Sequence, residues 1–172
     1  MPKITGKSAA KRAIRPHSAG FCRLPEWNLD DLYSGLNDPA IKRDLDRADA
    51  ECAAFEETYK GKLAGLAAAD GGAALAGAVR RYEAIDDLMG RLSSFAGLIH
   101  AGNTLDPART KFYGDIQERL TAASIHVLFF TLELNRIEDA VLDKAMADPA
   151  LGHYRPWLED VRRYRPYQLE DR

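Results

Sequence analysis

A chain of 172 residues, 46% of them apolar, suits one folded domain with or without a tail. Its 24 Lys+Arg against 26 Asp+Glu leave a net charge of −2, which argues against a basic nucleic-acid module. No run of about eighteen uncharged apolar residues occurs, so no membrane-spanning helix is expected.

The charge is uneven. Residues 1–25 carry six bases (Lys3, Lys7, Lys11, Arg12, Arg15, Arg23) and no acid, which leaves 18 bases and 26 acids for the remainder. This pattern predicts a basic, disordered leader over 1–25 and a helical domain over 26–172. The leader lacks the apolar stretch of a secretory signal, although its composition also suits an organelle transit peptide. No aromatic platform is interleaved among its bases, which speaks against a nucleic-acid arm. Two cysteines, Cys22 and Cys52, are too few for a disulfide scaffold and are read as reduced thiols of a cytoplasmic protein.

From Asp38 onward the pattern is helix after helix. Asp38-Pro39 is a start signal: the carboxylate caps free amides, and proline at the first helical position loses no needed donor. Ile41, Leu45, Ala48, Cys52, Phe55 and Tyr59 follow at spacings of three and four, with Asp44, Arg47 and Glu51 off that stripe and Gly61 as a stop. Residues 64–74 are rich in Ala and Gly, and Asp70-Gly71-Gly72 reads as a turn. A long stripe then runs Leu75, Val79, Tyr82, Ile85, Met89, Leu92, Ala96, Ile99, with Gly90 and Gly97 expected where a neighbouring helix comes close. Gly102-Asn103 ends it.

Asp106-Pro107 repeats the start signal. One helix is expected along Phe112, Ile116, Leu120, Ala123, Val127, Phe130 and Leu134. Its last part, Ile125 to Leu134, is apolar nearly all round and predicts burial on all sides or an uncovered surface. A shorter helix over Glu138–Ala147 follows, then a third start at Asp148-Pro149. Leu151, Tyr154, Trp157, Leu158, Val161 and Tyr164 lie at helical spacing, with Pro156 restarting the helix and Arg165-Pro166 breaking it. No strand pattern appears, so the expected class is all-α: an antiparallel bundle of four to six long amphipathic helices.

The chemistry of known sites is missing from the pattern. His17, His100, His126 and His153 never fall within one turn of each other, so the His-Glu-x-x-His zinc helix is absent, as is the Glu-x-x-His pairing of di-iron bundles. No Gly-x-Ser-x-Gly elbow or phosphate-binding glycine loop occurs. Cys52 sits on a core stripe and reads as packing. His126 reads as an interior histidine with one hydrogen-bond partner or a residue at a domain seam, the sharper alternative being a ligand or proton relay. His100, just before a helix end, suits the helix dipole. Arg162, Arg163 and Arg165 among Tyr154, Trp157, Tyr164 and Tyr167 suit a solvated or interdomain face, the sharper alternative being an anion or peptide-carboxylate site. The residues therefore assign no catalytic, cofactor-binding or metal-binding position.

Residue identities add a resemblance. Trp27-Asn28-Leu29-Asp30-Asp31-Leu32-Tyr33 resembles the Trp-Asp-Leu-(Ser/Thr)-Asp-Leu-Tyr opening of bacterial oligoendopeptidase F-like metallopeptidases, with Asn28 replacing the usual Asp. Asp38-Pro39-Ala40, Phe55 to Lys62, Thr104 to Arg109, Leu128 to Leu134, and Asp148 to Leu169 resemble further pieces of that family in the same order, over residues 26–172. The resemblance implies the N-terminal helical region of a zinc-dependent oligoendopeptidase that hydrolyses short peptides. That region walls the substrate channel, and the zinc helix lies beyond the residues present. None of the matching positions is catalytic in the family, so the chain alone is expected to be inactive, to hold no cofactor, and to leave zinc to the full-length enzyme. Its expected partner is the catalytic domain, or another copy through the 125–134 segment, with no nucleic acid and no membrane. The alternative is a stand-alone helical interaction module without peptidase activity.

Overall fold

The computed structural model describes residues 27–69 and 72–169. The basic leader, with His17 and Cys22, lies outside the described residues. Among the described residues there are helices and turns and no strand, as the periodicity implies.

Three long helices form the frame: α1 (Pro39–Tyr59), α3 (Ala73–Gly102) and α4 (Pro107–Ser124). The Asp-Pro starts act as read. Asp38 accepts the Ala40 amide at 2.8 Å, and Asp106 accepts the Ala108 amide at 2.8 Å, so each proline begins a helix whose orphan donors are already engaged. Side-chain pairings set the directions. Tyr33, ahead of α1, stacks edge-on against Phe95 at 5.1 Å, while Phe55 late in α1 meets Tyr82 at 6.0 Å, so α1 runs against α3. Gln117 donates to Ser93 at 3.1 Å and Arg109 to the Ile99 carbonyl at 3.2 Å, so α4 also runs against α3.

Short helices close the other end: α2 (Leu63–Ala68), α5 (Leu128–Arg136), α6 (Asp139–Ala145), α7 (Pro149–Gly152) and α8 (Arg155–Arg162). The described residues thus hold eight helical segments rather than four to six long ones. The expected single helix through Phe112 to Leu134 is broken by a 3-10 turn at Ile125–Val127, and α2 occupies a stretch read as loop. The break lets α5 leave the α4 axis, and α5 then packs on α2 and α8.

Two apolar clusters result. One gathers Phe55, Leu63, Phe130, Leu134, Leu142 and Leu158 among α1 to α8; the other gathers Tyr33, Ile41, Leu92, Phe95 and Ile116 where the chain before α1 meets α3 and α4. Phe130 is fully buried and stacks on Tyr82 at 4.7 Å. Asp44, off the apolar stripe, is nevertheless buried and accepts the Tyr33 hydroxyl at 3.0 Å. Burial and this carboxylate push the Tyr33 phenol up to about 12. Asn28, the departure from the opening motif, caps its own turn by accepting the Asp30 amide at 2.9 Å.

Glycine matters most at Gly72, where φ is +109° and a Cβ would lie 2.2 Å from the Ala145 carbonyl oxygen, so only glycine admits this approach of α3 to α6. Gly90 does not have the role expected of it. It faces open space, and a Cβ at Gly97 would only graze Tyr113 at 4.0 Å.

Candidate functional site

The segment Ile125 to Leu134 divides its apolar residues. Phe129, Phe130 and Leu134 turn into the core, Leu132 is half-buried, and Ile125 and Leu128 are left 68% and 63% exposed. The all-round burial considered from sequence does not occur, because the 3-10 turn rotates these two side chains off the core face. His126 lies on that turn. It is half-exposed, and its Nδ1 stands 2.5 Å from Glu56 on α1. Hydrogen bonds from Lys60 and then from His126 hold the Glu56 carboxyl below its ordinary range. His126 thus has the hydrogen-bond partner expected of it but is not interior, because its side chain is 44% exposed on the turn. His100 stacks on Tyr113 at 5.0 Å with its Nδ1 buried and unpartnered, and His153 packs edge-on against Tyr154. Cys52 is buried beside the Met89 sulfur at 3.7 Å, and burial pushes its thiol up to about 11, which makes it a packing residue.

The arginine cluster is consumed by the fold. Arg162 donates to the Leu134 carbonyl at 2.8 Å and the Ile137 carbonyl at 2.9 Å, and pairs with Asp139. These carbonyls lie in the last turn of α5 and at its C-cap, and the Leu134 carbonyl also accepts the Ile137 amide at 3.4 Å, so Arg162 is a C-terminal cap brought from α8. Arg165 also reaches Asp139, at 2.9 Å, and Arg163 reaches Asp160 at 3.1 Å. The cavity of about 390 Å³ beside them also carries Asp139, Asp143 and Glu159. Those carboxylates cancel the field an anion would need.

A different feature collects chemistry. Between α5, α8 and the 3-10 turn Arg165–Tyr167 runs a groove of about 420 Å³, walled by Leu132, Trp157, Val161 and Tyr164. Asn135 lines it, only 5% exposed, with a buried and unpartnered Oδ1. Gln168 lines it too, and its Nε2 donates to the Leu132 carbonyl at 3.3 Å while its Oε1 is buried and unpartnered. A buried acceptor left without a donor costs about 1–3 kcal/mol, and here two belong to residues that line one groove. Among the described residues, Asp160 is the only charged one in the lining. Across Trp157 lies a second cavity of about 290 Å³ lined by Tyr82, Glu83, Asp86, Asp87 and Tyr154, with no basic side chain. Tyr154 donates to Glu83 there at 2.7 Å.

Sequence reasoning placed Trp157, Tyr164 and Tyr167 together but missed Asn135 and Gln168. The available signal was Asn135 falling three residues after Leu132, a polar group on an otherwise apolar helix face. Among the described residues no group of three or more His, Cys, Asp or Glu stands where it would hold a metal ion, and no helix is long and apolar enough to cross a membrane.

The described residues thus form an all-α fold with an apolar, aromatic-walled groove between α5 and α8. Residues 133–172 match the family described as Oligopeptidase F. Over those residues the chain is similar to the N-terminal region of an oligoendopeptidase F-like peptidase, in agreement with the motifs from Leu128 onward. The match covers the last 40 of 172 residues, so the earlier motifs rest on the quoted resemblance. No curated protein and no solved structure matches the chain.

Proposed function

We propose that this chain supplies part of the N-terminal helical wall around the peptide channel of a cytoplasmic, zinc-dependent oligoendopeptidase, and no catalytic group. The observation that carries this reading is the position of the family match. Residues 133–172 supply the last turn of α5, all of α6 to α8 and the final 3-10 turn, and most of the residues that line the groove. A wall needs rigid packed helices rather than reactive groups, and the Arg162 cap and the Phe130 stack provide rigidity here.

Zinc in such an enzyme polarises the scissile carbonyl and activates water. The described residues do not fit it, because they contain no ligand set, so no hydrolytic step is assigned to them. A peptidase of this kind would draw its zinc ligands from a separate catalytic domain, and that domain is the partner we propose for the exposed face at Ile125 and Leu128.

The test is complementation. An oligoendopeptidase F stripped of its corresponding N-terminal region is mixed with this chain, and cleavage of a quenched-fluorescent peptide is followed. Binding with recovered or redirected cleavage supports the wall. Zinc-dependent cleavage by the chain alone, abolished by His126→Ala, overturns it. The rival reading, a stand-alone interaction module, draws on the two apolar clusters, which the described helices close by themselves. Failure to bind any catalytic domain favours that rival.

A further inference from the structure

We propose that Phe21 to Leu24 of the chain's own basic leader dock in the aromatic groove between α3 and α8, with Phe21 against its rings and Arg23 on its acidic rim. The groove, of about 290 Å³, is walled by Val79, Tyr82, Tyr154 and Trp157, and its three rings stay half-buried. Its rim is Glu83, Asp86 and Asp87, three and four residues apart on one face of α3, where like charges repel one another. Tyr154 engages Glu83 at 2.7 Å, whereas Asp86 and Asp87 are exposed and make no ion pair among the described residues. Arg80 is felt at Tyr154 but stands outside the lining. The matching occupant is one large apolar side chain beside a cation, which gains from both the rings and the carboxylates.

Charge, composition and reach select the leader. Residues 1–25 hold six bases and no acid, against 18 bases and 26 acids in the remainder. Phe21 is their only Phe, Tyr or Trp, and Arg23 and Leu24 stand two and three places on, so one short stretch supplies ring, cation and aliphatic bulk. The described chain also begins beside the groove. Arg91 of α3 donates to the Leu32 carbonyl, and Glu83, Asp87 and Arg91 follow one another at four-residue steps along the helix. Arg91 is therefore about 12 Å along α3 from Glu83, at about 1.5 Å per residue. The eleven residues from Phe21 to Leu32 span at most about 36–40 Å, so the tether reaches with slack. Tethering over such a length gives an effective concentration on the order of a millimolar, an advantage that a free cationic partner or the leader of a second copy lacks at micromolar concentration.

The proposal goes beyond the channel-wall reading and does not depend on it. Limited trypsin digestion of the full chain is followed by mass spectrometry at two bonds, Arg23–Leu24 inside the proposed contact and Lys7–Ser8 outside it. Each rate is divided by the rate of the same bond in a free synthetic peptide of residues 1–30. A contact of Kd about 0.2 mM at an effective concentration of about 1 mM protects its bond roughly sixfold. Arg23–Leu24 is therefore expected to be cut at least about fivefold more slowly in the chain, and Lys7–Ser8 at nearly the peptide rate. Asp86→Asn with Asp87→Asn should remove most of the protection, as should about 0.5 M NaCl, because the rim is exposed and its charges are screened. Phe21→Ala gives the same reading from the leader side should the double variant fail to fold. Equal rates in chain and peptide, or protection unchanged in both the rim variant and Phe21→Ala, overturn the contact. Protection lost in Asp160→Asn but kept in the rim variant moves the leader to the α5–α8 groove and also overturns it. Protection that fades as the chain is diluted assigns the contact to a second copy and overturns docking within one chain.

Discussion

Replacing Arg162 by Met tests whether this arginine is a helix cap or a ligand-binding cation. Its guanidinium is 15% exposed and spans the Leu134 carbonyl at 2.8 Å, the Ile137 carbonyl at 2.9 Å and the Asp139 carboxylate. A hydrogen bond from a charged donor is worth about 1.5–3 kcal/mol. Met fills the volume of the aliphatic stem but leaves both carbonyls without this donor. Because the site is near water, the lower figure applies to each bond, and the expected loss is about 3 kcal/mol. For a chain of this size that corresponds to a fall of roughly 6–12 °C in Tm. Urea unfolding followed by circular dichroism, extrapolated linearly, gives the number directly. Arg162→Lys should recover part of the loss, since one ammonium reaches fewer of the partners. Asp139→Asn should cost much less, because that carboxylate is 73% exposed. A loss below about 1 kcal/mol for Arg162→Met would refute the cap and return Arg162 to the solvated face read from sequence.

Other outcomes follow from the same geometry. Ile125→Ser with Leu128→Ser should lower any self-association or hydrophobic-dye binding without unfolding the chain, whereas Phe129→Ser should unfold it; sedimentation velocity and dye fluorescence decide. Tyr33 binds its proton more tightly folded than unfolded, so its contribution is complete below about pH 10 and is lost as pH rises towards about 12; Tyr33→Phe should remove that alkaline dependence. The Asp139 carboxyl is held below its ordinary value by Arg162 and then Arg165, so its contribution is present above the usual carboxylate range and is lost as pH falls through the folded value. Acid titration of stability in wild type and Asp139→Asn measures it. Iodoacetamide at pH 8 should spare Cys52 until urea is added, as read by peptide mass mapping.

Much of the helical frame is local information. A capping carboxylate followed by proline starts a helix wherever it occurs, so the starts of α1, α4 and α7 stood in the sequence at Asp38, Asp106 and Asp148. Spacing of three and four marks a face, and Ile41, Leu45, Ala48, Cys52 and Phe55 are indeed the buried face of α1. The groove was only half legible. Trp157 and the tyrosines around it are visible as an aromatic cluster, but an orphaned acceptor is a statement about neighbours, and the sequence of Asn135 names none.

By itself, then, the sequence determined the helical class, the helix starts, the core face of each long helix and the oligoendopeptidase F resemblance, because each depends on residues within a few turns or on identity alone. Tertiary structure decided the rest. The break at Ile125–Val127 follows from the need to pack Phe130 against Phe55 and Tyr82 while α5 meets α8, a demand no local spacing encodes. Asp44 is buried because Tyr33 reaches it across a turn. Arg162 changes from a surface cation into a cap because α8 returns to the end of α5, 25 to 28 residues earlier in the chain. Hydrogen bonding and burial are pairwise properties, and their partners come together only when distant segments do.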